Sequence, residues 1–341
     1  MDQFLSFVLL PIHDDWASAL YNSSSYNDNA FFYRTSKVSF VEQRDIHTTL
    51  RDITEYTVHP HNLAEGENVR ILSAHLKAGN DNSDQVQRRD EALTLRAELD
   101  QLPEGELFMF MGDFNLYTSA EDAYQILLDS EPNPNGQLFD PIDTPAAWHN
   151  SITYASIHTQ SPRAEYGGMD DRFDFILVSA ALMDTASSHV LPETYTPWGN
   201  DGLHFNQSIN DGDNAAVSEE VADALYYASD HLPVAVDVVF RSAAMDTRHD
   251  GTSLASAYQL SAYPNPFNPS TTISFDIPQQ TYVSLIAYDL LGRKIEQLMN
   301  ETAAAGSHSI NWDCSSCATG LYLIELRSGT HRSITKAMLL R

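Results

Sequence analysis

The stretch ENVRILSAHLKAGN, residues 67–80, carries a short apolar run that stops on a histidine. Val69, Ile71 and Leu72 read as a strand rich in β-branched residues. His75 then follows, with Lys77, Gly79 and Asn80 close behind. A buried strand has little use for such an ending, whereas the catalytic edge of an open α/β sheet does. Two later runs repeat the pattern. GELFMFMGDFN (105–115) turns at Gly112 into Asp113 and Asn115, and SDHLPV (229–234) presents Asp230 and His231 before an alternating valine strand.

Working outward, residues 1–240 alternate strand-like and helix-like segments. Strands are predicted in ENVRILSAHL, GELFMFMGDF, RFDFILVS (172–179) and HLPVAVDVVF (231–240). Ser83 opens a helical pattern with Leu95, Leu99 and Leu102, closed by Pro103 and Gly105. Ser119 and Asp122 form a capping box for a helix carrying Tyr124, Leu127 and Leu128. Near the N-terminus Phe4, Leu5, Val8 and Leu9 share one helical face, which Pro11 stops. Residues 185–222 read as a long polar excursion, and 241–257 lose all periodicity, as a linker does. The expected fold is a layered α/β sandwich, two packed mixed sheets flanked by helices, followed over residues 258–341 by a small all-β sandwich.

The 341 residues carry a formal net charge of −28, with 43% hydrophobic and 10% aromatic residues. That charge argues against a broad basic face for phosphate backbones, but a bound metal reverses the local potential where a phosphate lands. No apolar run is long enough to span a membrane. The start lacks the basic leader and long apolar core of a signal peptide. The two cysteines, Cys314 and Cys317, form either a local disulfide or a spare thiol pair.

Chemistry is carried by a few residues. Asp113 and Asn115, two apart, point the same way and suit a hard dication and its phosphate oxygens. His231 beside Asp230 has the character of a general acid/base. Asp174 is a carboxylate set between two aromatics in an apolar strand, so it needs a partner, and His231 is the candidate. No G-x-S-x-G motif supports acyl transfer.

SAHLKAGN, GDFN, RFDFILVS and SDHLPV, in this order, resemble the endonuclease/exonuclease/phosphatase superfamily of metal-dependent phosphoesterases over about residues 1–240. The resemblance implies that Asp113, Asn115 and Asp230 bind Mg²⁺ or Mn²⁺, with Ca²⁺ as a further option. It makes His231, oriented by Asp174, the acid/base, and sets His75 on the scissile phosphate. FFYRTSKV (31–38) and TLRDITEY (49–56) resemble the family's next motifs, placing Arg51 near substrate and Asp52 where some members pair a carboxylate with the first histidine. GNDGLHFNQSI (199–209) resembles a secreted bacterial subgroup. The family opens on an Asn-bearing strand and a strand ending in a metal-binding Glu, and the expectation is that both lie upstream of Met1, together with a signal peptide.

YPNPFNPSTTISFDIP (263–278), YDLLGRKI (288–295), AGSHSINWD (305–313), GLYLIEL (320–326) and KAMLLR (336–341) resemble the type IX secretion sorting domain. That implies a secreted or surface-attached protein and the type IX machinery as a partner. The expected function is a monomeric extracellular endonuclease cleaving DNA or RNA. The alternatives are a phospholipid or sphingolipid phosphodiesterase, and a non-catalytic surface fragment that keeps the fold.

Overall fold

The computed structural model describes residues 2–24, 27–241, 260–263, 265, 267, 269–277, 280–289, 293–315, 317–329 and 331–339. The chain forms two compact units, Met1–Ala244 and Met245–Arg341. Nearly all of the predicted linker lies outside the described residues.

The first unit opens with a helical turn, α1 (Asp2–Phe4), and four short strands, β1 (Trp16–Ser18), β2 (Asn22–Ser24), β3 (Asn27–Asn29) and β4 (Phe32–Arg34). Its centre is a six-stranded mixed sheet of order β5-β6-β7-β8-β10-β9. The strands are β5 (Val38–Ile46), β6 (Ile53–Pro60), β7 (Val69–His75), β8 (Leu107–Asp113), β9 (Leu138–Phe139) and β10 (Asp174–Ser179). Only β7 and β8 run parallel within it. A parallel pair needs a crossover, and α2 (Asn82–Leu99) supplies it.

Strand alternation sorts the core into layers. Phe108, Phe110, Phe175 and Leu177 face Ala92, Leu95 and Leu99 of α2 and Ala123, Tyr124 and Leu127 of α3 (Asp122–Leu128). Met109, Ile176 and Val178 face the other way, onto Val190 and the half-buried Val234, Val236 and Val238. Those last residues belong to the antiparallel pair β11 (His189–Pro197) and β12 (Val234–Val239). The unit is thus a layered α/β fold of helices, main sheet and a smaller second sheet.

Two expectations change. The excursion at 185–222 is not all loop, because its first part is β11 and its end begins α4 (Glu219–Ala228). A register shift between Leu191 and Thr196 spans Pro192 and hides the strand's period. The residue capping α3 is Glu121, not Ser119, whose N–H donates to Ala146 O. Glu121 turns its carboxylate to Arg88 and the Tyr117 N–H. The N-terminal apolar face is not buried: α1 widens into a π-turn at Leu5–Leu9, and Phe4 and Val8 stay exposed.

Two buried arginines tie loops to the rest of the unit. Arg172 grips Asp140 through both carboxylate oxygens, at 2.7 and 2.9 Å, with its guanidinium 4.2 Å from the Phe175 ring centroid. Arg88 on α2 holds Glu121 at 2.6 Å and the Lys77 and Gly79 carbonyls at 2.7 Å.

The second unit is a β-sandwich. One sheet has the order β13-β14-β17 and the other β16-β15-β18-β19. The strands are β13 (Leu260–Tyr263), β14 (Ser270–Ile277), β15 (Thr281–Asp289), β16 (Lys294–Ala303), β17 (Gly306–Asp313), β18 (Gly320–Ser328) and β19 (His331–Leu339). Ile273, Phe275, Leu285, Trp312, Ile324 and Leu326 fill its core. Cys314 and Cys317 are joined as a disulfide just after β17, so the thiol-pair alternative falls away.

Removing the Arg172 guanidinium would leave Asp140 as an uncompensated charge in the core. Arg172→Ala is expected to cost the larger unit about 3–5 kcal/mol, read as a lowered midpoint in urea unfolding. A loss below about 1 kcal/mol would show that the pair contributes little.

Candidate active site

The site grows from strand register. In the parallel pair, His75 stands opposite Asp113, and in the antiparallel pair Asp113 stands opposite Asp174. Three chemistry-bearing side chains therefore line one edge of the sheet on adjacent strands. Gly112 makes the close approach possible. Its φ is +136°, and a Cβ there would lie 1.9 Å from Ala74 O.

His231 arrives from outside the sheet. Gln160 pairs as an isolated bridge with both Asp171 and His231, and the Leu232 N–H donates to Thr159 O at 2.8 Å. The Thr159 hydroxyl accepts the N–H groups of Phe173 and Asp174 at 3.1 Å. One short segment thus locks β10 to the chain ahead of β12.

His231 Nδ1 then lies 2.7 Å from Asp174 Oδ2, the partner predicted for that carboxylate. Its Nε2 lies 3.1 Å from Gln160 Nε2 and 3.8 Å from Asp113 Oδ2. Burial by itself lowers the affinity of the ring for a proton. The Asp174 hydrogen bond and the charges of Asp174, Asp113 and Asp230 outweigh it and raise the ring to about 9. With both ring nitrogens protonated, the Gln160 amide must turn its oxygen towards Nε2, and with a neutral ring its N–H donates there.

The neighbours of His231 are shifted as well, Asp113 upward and His75 downward. Burial, helped by the Asp174 charge and opposed by His231, pushes Asp113 up to about 7. Burial, then the charges of Arg51 and His231, lowers His75 to about 4. His75 Nε2 is 3.3 Å from Asp113 Oδ2, and with a neutral ring that contact is no ion pair. The Asn115 N–H donates to Asp113 Oδ1 at 3.0 Å, and Asn115 Nδ2 donates to Leu76 O at 3.2 Å. Asn115 sits at φ +51°, a left-handed conformation asparagine tolerates.

Arg51 donates to the carbonyls of His75 and Leu76, at 3.2 and 3.1 Å, just beneath the strand end. Asp52 lies 3.0 Å from His47 Nδ1 and accepts the Thr48 N–H. Asp230 is exposed beyond the C-terminal end of α4 and acts on both histidines through its charge. The structure therefore gathers His75, Asp113, Asn115, Asp174 and His231, with Arg51 under the edge and Asp230 at its rim.

Among the described residues, the His, Cys, Asp and Glu side chains whose ligand atoms converge within 4.8 Å are His149, Asp170 and Asp171. This differs from the predicted set of Asp113, Asn115 and Asp230. Asp171, buried and paired with His149 at 2.7 Å, is pushed up to about 6 by burial. Gln160, Thr159, His149 and Asp171 went unnoticed in the sequence. Their places depend on long-range bridges, and only the paired acids of GGMDDRFDF offered a signal.

The profile of the Endonuclease/Exonuclease/phosphatase family matches residues 4–231. The chain belongs to that family. Residues 261–340 match the secretion system C-terminal sorting domain. None of the curated proteins matches the chain. Among solved structures it is similar to the human Nocturnin catalytic domain with bound sulfate, at 16% identity, covering 70% of this chain and 78% of that one, with a TM-score of 0.42. It is also similar to a mannosyl-6-phosphatase of Bacteroides thetaiotaomicron, at 17% identity, over 68% and 80%, with a TM-score of 0.40. A third is D. rerio TDP2 complexed with a single-strand DNA product, at 15% identity, over 56% and 70%, with a TM-score of 0.39.

The Asp174–His231 pair has a measurable signature. The folded ring sits at about 9 against an ordinary 6.5, so its stabilising contribution is complete below about pH 6.5 and is lost as pH rises to about 9. Asp174→Asn should return the His231 ring resonance, followed by NMR, towards or below its ordinary value. An unmoved titration midpoint would refute the pairing.

Proposed function

We propose that the larger unit is a divalent-metal-dependent phosphodiesterase, an extracellular endonuclease cutting DNA or RNA. The observation that carries the reading is the row His75, Asp113, Asp174 on adjacent strands, with His231 held 2.7 Å from Asp174. Membership of a family named for nuclease and phosphatase activities supports phosphate-ester hydrolysis.

Each residue has a role its geometry allows. Asp174 accepts Nδ1–H and fixes the ring, so Nε2 is the atom that takes or gives a proton. Asp113, poised at about 7, carries either protonation state near neutrality and can assist that transfer. His75, neutral and partly open, can donate to a phosphate oxygen. Arg51 places positive charge beneath the same strand end.

The donors also fit a hard dication. Asp113 and Asp230 are carboxylates, and Asn115, whose Nδ2 is engaged by Leu76 O, keeps an amide oxygen to offer. Burial raises Asp113 despite the neighbouring His231 charge, and a bound Mg²⁺ would supply a stronger countercharge. When bound, the ion would neutralise phosphate charge, which a chain of net charge −28 otherwise repels. The sorting domain at 261–340 indicates a secreted or surface-attached product, and the type IX machinery is the proposed partner.

With Mg²⁺ present, the protein is expected to cleave bis(p-nitrophenyl) phosphate and nicked or linear DNA, and EDTA should abolish both. His231→Ala should lower turnover by about two to four decades. Cleavage kept within tenfold would remove His231 from the assignment.

A further inference from the structure

Beside the catalytic row lies a group of side chains that the chemistry leaves unused. Tyr227, near the end of α4, is 76% exposed, and Tyr166, in the loop before β10, is 61% exposed. Arg163 lies against Tyr166 and Tyr226, with its guanidinium carbon 5.6 Å from the Tyr166 ring centroid and 5.5 Å from that of Tyr226. Tyr226 and Tyr227 meet edge to face at 5.0 Å.

The group is held in place rather than draped on the surface. Arg163 Nε donates to Tyr226 O at 2.5 Å and Nη2 to Tyr227 O at 3.2 Å. The Tyr226 hydroxyl donates to Glu165 Oε1 at 2.9 Å. Ser161 and Ser208 hydroxyls accept the N–H groups of Arg163 and Ala164, which pins the other flank. Fixed aromatic rings bind with little loss of side-chain freedom.

Two chain paths join this group to the acid/base. Arg163 follows Gln160, whose amide nitrogen is 3.1 Å from His231 Nε2, by three residues. Tyr227 precedes His231 by four, a path of at most about 14 Å even if fully extended. The rings therefore stand within a few nucleotide steps of a phosphate seated over His75 and Asp113.

We propose that Tyr166, Tyr226 and Tyr227 with Arg163 form a stacking platform for the unpaired bases of a single-stranded nucleic acid flanking the cleaved phosphate. The proposal rests on the phosphodiesterase reading for the position of that phosphate, and it narrows the substrate to strands with exposed bases. A net charge of −28 argues against a broad basic face for the backbone, so the platform is assigned to the bases. A cationic lipid head group fits worse. The Arg163 guanidinium beside the Tyr166 and Tyr226 rings would repel a quaternary ammonium, whereas it can itself stack on a base.

The test is binding of a fluorescein-labelled single-stranded oligonucleotide of about twelve residues, a length within the range such sites cover. Fluorescence anisotropy is read on the full chain carrying His231→Ala, so that the strand stays uncut. Adding Tyr227→Ala should weaken binding about five- to hundredfold, and Tyr227→Trp should keep it within about threefold. Affinity should hold or rise between about 0.05 and 0.5 M salt, because screening relieves repulsion instead of competing with contacts. Thermal melting of each variant establishes that it is folded. A Tyr227→Ala change within twofold, or an affinity falling steeply with salt, overturns the platform. If the unmodified chain cleaves bis(p-nitrophenyl) phosphate yet binds no oligonucleotide, the platform fails and the phosphodiesterase reading survives. If the strand binds through Tyr227 and no phosphodiester is cleaved, the platform stands and that reading fails.

Discussion

The closeness of β7 and β8 at Ala74 and Gly112 is the constraint on which the site depends. A side chain at 112 would collide with the Ala74 carbonyl, so only glycine lets the two strands stay in register through their last residues. That register sets His75 against Asp113, and the antiparallel partner β10 then sets Asp174 on the far side. The candidate catalytic edge is a consequence of hydrogen-bonded backbone. It costs the side chains little ordering of their own, because each sits at a strand end that packing has already fixed.

Charge is distributed by the same logic. Against 47 acidic residues the chain has only 19 lysines and arginines, and several arginines are committed inside the fold. Arg172 holds Asp140, Arg88 holds Glu121, and Arg96 binds the carbonyls of Ile126 and Asp129. The last two fasten the segments around α3 to α2, and Arg172 fastens Asp140 to the chain entering β10. Among the described residues, Arg51 and the protonated His231 ring carry the positive charge at this edge. A phosphate there needs a borrowed cation, which is the physical reason a family of this kind relies on metal.

Much of the sheet and its edge could be read from the sequence, since β7, β8, β10 and β12 combine β-branched or aromatic runs with abrupt polar ends. The Asp174–His231 pair was legible too, because a carboxylate inside an apolar strand demands a partner. The second sheet was less so. Pro192 and the bulge beside it break the alternation of β11, and the strand passed for loop. The cap of α3 misled for a related reason. Ser119 and Asp122 have the right spacing, but Glu121 is already positioned by Arg88, and tertiary pairing overrode the local motif. Gln160 and Thr159 were invisible, because nothing within IHTQSP announces contacts to residues some seventy positions away.

Those unreadable contacts mark a division of labour. The row on the main sheet is fixed by strand register and burial. The segments between β8 and β10 and between β11 and β12 surround that row. They are held by side-chain hydrogen bonds to backbone: Asn200 reaches the Ala155 and His158 carbonyls at 2.7 Å, and Asn214 reaches Gly199 O at 3.0 Å. His204 and Asp201 close the same excursion with a buried pair at 2.9 Å. Such loops are rigid without belonging to the sheet, so their exposed faces can change while the catalytic geometry stays put. Under the proposed function, substrate choice would lie in the exposed side chains of these loops and of α4. That is why the sheet motifs alone could name a reaction class and leave DNA, RNA and lipid undivided.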